Sequence, residues 1–256
     1  MATSALADGP ISQAARLLRR ARYAIALTGA GISTPSGIPD FRSPGTGLWE
    51  RADPMRVASI HAFRRNPQAF YEWIRPLARA LFEAHPNPAH RALAALEAAH
   101  FLRAVITQNI DALHQAAGSR EVLEVHGHLR SATCLDCYRV QATKDLLAEF
   151  VTSQTVPRCP ECGGVLKPDV ILFGEQLPAA VVSAAMAHVE AADVMLVAGS
   201  SLEVVPASQL PLKLYRHGGS LIVINETPTC ADSAAEVVIR DDVAEVLPRI
   251  ARSCVA

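Results

Sequence analysis

The chain carries almost no net charge. Its 24 basic and 25 acidic residues leave −1, and no long run of one sign breaks the balance. A sequence-independent grip on nucleic acid or on an anionic membrane needs an excess of cations, so neither partner is expected. No apolar run approaches the roughly 20 residues that cross a bilayer. The stretch Met1–Pro10 lacks the basic start and apolar middle of a secretory leader. Internal repeats and low-complexity tracts are absent. Six cysteines in 256 residues, without an export signal, do not suggest a disulfide scaffold. These absences lead us to expect a cytoplasmic globular protein; a monomer is expected as well, though no residue pattern sets the oligomeric state.

What is present is apolar. Half of the residues are hydrophobic, enough for a large core, and the length allows one domain or a main domain with a satellite. Apolar residues recur at helical spacing over Ile11–Arg22, Ile60–Ala84, Pro88–Ala99, Ala179–Ala191, Ala207–Arg216 and Asp242–Ala251. Asn87 and Pro88 read as the cap and first turn of the third of these. Short apolar strands are expected at 23–28, 102–107, 122–125, 170–173, 194–198, 221–224 and 236–239. Strands alternating with helices predict an α/β fold, a Rossmann-like, mainly parallel sheet with helices on both faces. Between Gly29 and Pro54 the chain is rich in Gly, Pro and Ser (Thr34-Pro-Ser-Gly-Ile-Pro39, Ser43-Pro-Gly-Thr-Gly47), which predicts a shaped loop.

Between Ser131 and Lys167 the α/β pattern breaks, and four cysteines fall there as Cys134/Cys137 and Cys159/Cys162. Two Cys-x-x-Cys pairs 21 residues apart match a tetrahedral four-thiolate zinc site. Pro160 and Gly163-Gly164 favour the tight turn that aims two thiolates at one ion. Four thiolates close the coordination shell, so this zinc is expected to be structural. Cys230 and Cys254 stand apart and read as free thiols.

Gly29-Ala30-Gly31 directly follows a strand, where dinucleotide folds place phosphate-binding backbone. Thr34 occupies the position of the third glycine in Gly-x-Gly-x-x-Gly, so the turn by itself fits a plain connection as well as a nucleotide site. Asn225 ends a strand where Rossmann proteins often hold ribose. Gly199-Ser200-Ser201 closes another.

Gly29-Ala-Gly-Ile-Ser33, Gly37-Ile-Pro-Asp-Phe-Arg42, Thr107-Gln-Asn-Ile-Asp111, His126-Gly127, the cysteine quartet, Phe173-Gly-Glu175 and Gly199-Ser-Ser201 stand in the order seen in sirtuins. The resemblance spans about Ile11 to Ile250. It implies an NAD-dependent protein lysine deacetylase that passes the acyl group of acetylated-lysine proteins to ADP-ribose, releasing nicotinamide and O-acetyl-ADP-ribose. The cofactors implied are NAD as co-substrate and structural Zn²⁺. His126 is then the base acting on a ribose hydroxyl, a task suited to imidazole near neutral pH, with Asn109 ordering the ribose or a water. Gln108 contacts ribose, while Ile110 and Asp111 hold the nicotinamide carboxamide. Asp111 also suits a helix cap before Ala112. Phe41 covers the reacting ribose and Arg42 orders the phosphate-side loop. The resemblance also assigns Gly29, Ala30, Gly31, Thr34, Asp40, Gly199, Ser200, Ser201, Asn225, Asp242 and Val243 to the cofactor. Phe173, Gly174, Glu175, Leu202 and Val204 would flank an added peptide strand.

The implied domains are a Rossmann-like part (1–49, 88–130 and 168–256), a helical module (50–87) and a zinc module (131–167). Sirtuins that take succinyl or malonyl groups carry Tyr-x-x-Arg in the helical module. Here Tyr71 is followed three residues on by Ile74, and Arg75 lies about 100° further round a helix. Acetyl or another uncharged acyl group is expected. Protein ADP-ribosylation, a non-catalytic NAD-binding module and a hydride-transferring dehydrogenase are the competing readings.

Overall fold

The computed structural model describes residues 8–43, 45, 47–50, 52–143, 150–152 and 155–255. Its main sheet has six parallel strands in the order β3-β2-β1-β7-β8-β9. These are β1 (Ala24–Thr28), β2 (Ala104–Thr107), β3 (Val122–Glu124), β7 (Val194–Ala198), β8 (Ser220–Ile224) and β9 (Val237–Ile239). Their apolar runs follow from burial on both faces. Along β1 the side chains alternate. Ala24 and Ala26 join a cluster with α1 (Asp8–Arg20), α5 (Pro88–Ala98) and α9 (Val243–Val255). Ile25 and Leu27 face the opposite cluster, with Val189 of α7 (Ala179–Ala191) and Leu214 of α8 (Leu210–Arg216). A Val, Ile or Leu side chain contributes about 1.5–3 kcal/mol on full burial, an alanine methyl less. Strand order reverses at β1 and β7, which opens a crevice beyond their C-terminal ends.

A second sheet, β5-β4-β6, is antiparallel and comprises β4 (Gly127–Cys134), β5 (Val140–Ala142) and β6 (Leu166–Val170). The expected strand at 170–173 is corrected here. Its neighbourhood is instead a strand over Leu166–Val170 that pairs with β4, and Phe173 makes only an isolated parallel bridge to Ser59. An apolar run signals a strand but not its partner, and Lys167 and Pro168 disguised this one.

The single helix expected over Ile60–Ala84 is two, α3 (Ile60–Arg65) and α4 (Pro67–Glu83). Pro67 disfavours helical backbone at Asn66, whose side chain then caps α4 by accepting from Ala69 N. The helix expected from Ala207 begins as a 3-10 turn and becomes α8 only at Leu210. The loop after β1 contains short 3-10 turns, then α2 (Pro54–Val57). Asn87 caps α5, accepting from Ala89 N at 2.8 Å, and forms a capping box with His90.

A third apolar cluster joins α3 and α4 to the ribbon. It packs Phe63, Phe70, Tyr71, Ile74 and Leu77 against Leu129, Phe150, Val170 and Leu172, with Leu113 of α6 (Leu113–Ala117). The crevice lies between this cluster and the main sheet.

Candidate active site

The crevice is a cleft of about 650 Å³, and every site residue named from the sequence lines it except Leu202 and the cysteines. Leu202 has φ +56°. That left-handed turn sends its side chain into the core, where it is 4 % exposed. Its neighbours Ser201, Glu203 and Val204 line the wall instead.

At the switch point two loops meet backbone to backbone. Gly31 N donates to Gly199 O at 2.9 Å, and a Cβ on Gly31 would sit 2.9 Å from that oxygen. The glycines are thus required by loop–loop contact. Gly31 N–H is engaged there rather than free for a phosphate. Thr34 Oγ1 donates to Gly31 O at 3.0 Å.

Gln108 continues β2 by donating its N–H to Thr28 O, and its side-chain amide donates to Ser200 Oγ at 3.0 Å. Asn109 Nδ2 donates to Ser33 Oγ at 3.0 Å, and Ser33 Oγ donates to Asp111 Oδ2 at 2.6 Å. The other oxygen of Asp111 accepts Leu113 N at 2.9 Å, so this carboxylate satisfies the first N–H of α6, although the cap position itself is Ala112. His90 Nδ1 accepts from Asn87 N, and its Nε2 lies 3.4 Å from Ser33 Oγ. Burial pushes His90 down to about 4 against the pull of Asp111, so its ring is neutral. Ser33 and His90 escaped the sequence reading of roles. Ser33 was visible only as the last residue of a glycine motif, and His90 only as a helix position.

His126 follows the short β3 and precedes Gly127, whose φ of +75° opens β4. A Cβ on Gly127 would collide with Asp169 O, so the turn that sets His126 needs glycine. His126 Nδ1 is 3.2 Å from Gln108 O. A carbonyl only accepts, so Nδ1 carries the proton and Nε2 of the neutral ring holds a lone pair. Burial lowers its pKa, partly offset by the Gln108 carbonyl.

Asp40 braces the loop above by accepting from Arg42 N at 2.9 Å and Ser43 N at 2.7 Å. Phe41 packs on Trp49, which stacks on Trp73 of α4 at 5.0 Å and 8°. Arg42 Nε pairs with Glu203 at 3.0 Å, so its guanidinium ties the loop to the far wall. At the other end, Asn225 Nδ2 is engaged with Thr227 O and Oγ1. Among the described residues its Oδ1 has no donor, so it can accept from a ligand hydroxyl. Asp242 caps α9 through Ala244 N at 2.8 Å, beside Val243.

Phe173 N–H and C=O bond to Ala58 O and Ile60 N. Among the described residues, the main-chain groups of Gly174, Glu203 and Val205 make no hydrogen bond. Gly174 and the 203–205 segment both border the cleft.

The four cysteine sulfurs lie within 4.8 Å of one another, with Cys134–Cys162 at 3.5 Å and Cys137–Cys159 at 3.7 Å. Tetrahedral Zn–S bonds of about 2.3 Å place sulfurs about 3.8 Å apart, so the set fits zinc. Backbone turns build each knuckle, with Tyr138 N donating to Cys134 O and Gly163 N to Cys159 O. A Cβ on Gly164 would come 2.8 Å from Cys134 Sγ. No open ligand position remains, so the ion would brace the ribbon. No helix among the described residues is long and apolar enough to cross a membrane.

The model of the Sir2 family matches residues 29–206. The NAD-dependent protein deacetylase of Sulfurisphaera tokodaii is 48% identical over 232 residues, 91% of this chain and 91% of that protein. A solved Sir2 homologue in complex with NAD superposes at TM-score 0.86 with 40% identity, covering 94% of this chain and 92% of that one. A Sir2 protein bound to a myristoylated histone peptide superposes at TM-score 0.83 with 39% identity, covering 97% of each. With its motif order, its sheet and the length of these matches in agreement, the chain belongs to the Sir2 family.

Proposed function

We propose that this chain removes uncharged acyl groups from protein lysines in an NAD-dependent reaction, with His126 as the base. The observation that carries the assignment is the fixed tautomer of His126, whose Nδ1 is tied to Gln108 O while Nε2 faces the cleft without a protein partner among the described residues. NAD supplies the ADP-ribose acceptor and the nicotinamide leaving group. Nε2 can take a proton from a ribose hydroxyl, and the ring stays neutral because it is buried. Asn109 and Asp111, joined through Ser33, present an amide and a carboxylate where a carboxamide would be held. Phe41, packed on Trp49 in the cleft lining, would cover the reacting ribose.

The unpaired main-chain groups of Gly174 on one side and Glu203 and Val205 on the other suit a peptide strand between them, bound largely without regard to sequence. The division into a Rossmann-like part, a helical module and a zinc module is supported by the separate antiparallel sheet β5-β4-β6, while the apolar cluster under α3 and α4 joins all three through Leu113, Leu129, Phe150 and Val170. On the acyl side, α4 turns Phe70, Trp73, Ile74 and Leu77 to the cleft. Tyr71 is 1 % exposed and donates to Leu166 O at 2.7 Å, and Arg75 stacks over Phe150 at 5.0 Å. Neither lines the cleft, so among the described residues no cation or phenol on α4 matches an acyl carboxylate.

Incubation with NAD and an acetylated peptide should release nicotinamide and form acetyl-ADP-ribose. The succinylated version of the same peptide should turn over far more slowly. A preference for succinyl would overturn the acyl assignment, and ADP-ribosylated protein as the main product would favour the transferase reading.

A further inference from the structure

The turn proposed to receive the peptide is held from behind by a charge. Lys167 lies on β6 and is 9 % exposed. Its Nζ donates to Pro168 O at 2.9 Å and Val170 O at 2.9 Å, and pairs with Glu175 Oε2 at 3.1 Å. An ammonium has three donors, and these three acceptors match them. Glu175 Oε2 also accepts Leu172 N at 2.8 Å, while Glu175 N donates to Leu172 O at 3.0 Å. The turn 172–175 is therefore closed twice by one residue.

Glu175 borders two spaces, the main cleft and a smaller cavity of about 480 Å³ behind it, whereas Lys167 borders only the latter. The lysine touches neither the cofactor end nor the acyl wall.

We propose that Lys167 is a positioning residue for the acylated peptide, acting through Glu175 to fix the orientation of Gly174. The proposal rests on the peptide placement given above. Gly174 has φ +85°, and glycine there rotates at little steric cost. Its N–H and C=O are the groups that would pair with the peptide, so their direction depends on what restrains the turn. Removing the ammonium leaves a part-buried carboxylate without its counter-charge, which is strongly unfavourable. The carboxylate then turns toward water and releases the turn. The loops at Gly29–Thr34 and Asn225 belong to the main sheet and keep their geometry.

The test compares native protein with Lys167→Met, Lys167→Arg and Glu175→Gln, varying NAD and acetylated peptide independently and measuring peptide binding by fluorescence anisotropy. Zinc content and thermal melting serve as checks on folding. Lys167→Met should raise the peptide KM and Kd by about tenfold, or 1.4 kcal/mol. Its KM for NAD and its kcat should stay within about twofold. Lys167→Arg should recover part of the loss. The double variant Lys167→Met/Glu175→Gln should be no worse than the single lysine variant, since the two residues act as one unit. If Lys167→Met does not fold, Glu175→Gln alone must still weaken the peptide and spare NAD. An unchanged peptide KM, or equal rises for peptide and NAD, overturns the role of Lys167 while leaving the deacylase reading intact. A native chain that binds and turns over no acylated peptide overturns both.

Discussion

His114 Nε2 lies 2.9 Å from Thr28 Oγ1, beneath the floor of the cleft, and Thr28 in turn donates to Thr107 Oγ1 at 2.9 Å. Thr28 and Thr107 are register partners at the ends of β1 and β2. The histidine is 1 % exposed, its Nδ1 is buried without a partner among the described residues, and its ring meets that of His90 at 4.9 Å. The two imidazoles are thus packed as neutral rings under the loops that form the site.

This packing predicts a pH dependence of stability. Burial pushes His114 down to about 3, with a smaller push from His90, and His90 down to about 4, from 6.5 for both. A folded-state pKa below the unfolded one means that the unfolded chain binds more protons between the two values. The stabilisation from these residues is complete above 6.5 and is lost progressively as pH falls toward about 4 for His90 and about 3 for His114. The slope approaches about 1.4 kcal/mol per pH unit for each histidine. Urea midpoints measured from pH 8 down to 5 should fall below 6.5, and His114→Asn should flatten the curve. An equally steep curve in His114→Asn would refute the assignment.

His126→Ala should abolish acyl transfer while keeping NAD affinity, a loss of about 10²–10⁴-fold or more in kcat. In the native protein the acid limb of the rate profile should have its midpoint below 6.5, because burial lowers this histidine. Activity is lost as the pH drops and Nε2 is protonated. A limb at or above 6.5 would contradict the buried neutral base.

Asp111→Asn keeps the volume but replaces a carboxylate that accepts from Ser33 and Leu113. Hydrogen bonds to a charged group contribute about 1.5–3 kcal/mol. Nicotinamide inhibition should weaken roughly tenfold or more, read as a raised inhibition constant. Unaltered inhibition would remove Asp111 from the carboxamide pocket.

Cys159→Ala removes one of four sulfurs spaced for a single tetrahedral ion. The purified variant should have lost its metal and melt at lower temperature, and chelation of the native protein should release one zinc per chain. A metal-free Cys159→Ala with native melting and activity would show that the ribbon needs no brace.

Much of this molecule was legible before folding. The strands of the main sheet read as apolar runs because both of their faces are covered, and Asn87-Pro88 announced α5. The residues named for the cleft also meet there, apart from Leu202. The misreadings differ in cause. Pro67 marked the break between α3 and α4 locally, whereas nothing local tells that β6 leaves the main sheet to pair with β4 or that a left-handed turn buries Leu202.

Spacing and period depend on neighbours along the chain, so the sequence alone determined the zinc ligands, the alternation of strands and helices, and the residue types offered to the site. Contacts between distant segments obey no such period. Only the tertiary structure decided that Gly31 meets Gly199, that Gln108 O sets the tautomer of His126, and that Lys167 reaches Glu175. Each is a close approach of polar groups in a low-dielectric interior, where a hydrogen bond or charge has few alternatives and the packing of whole elements selects its partner.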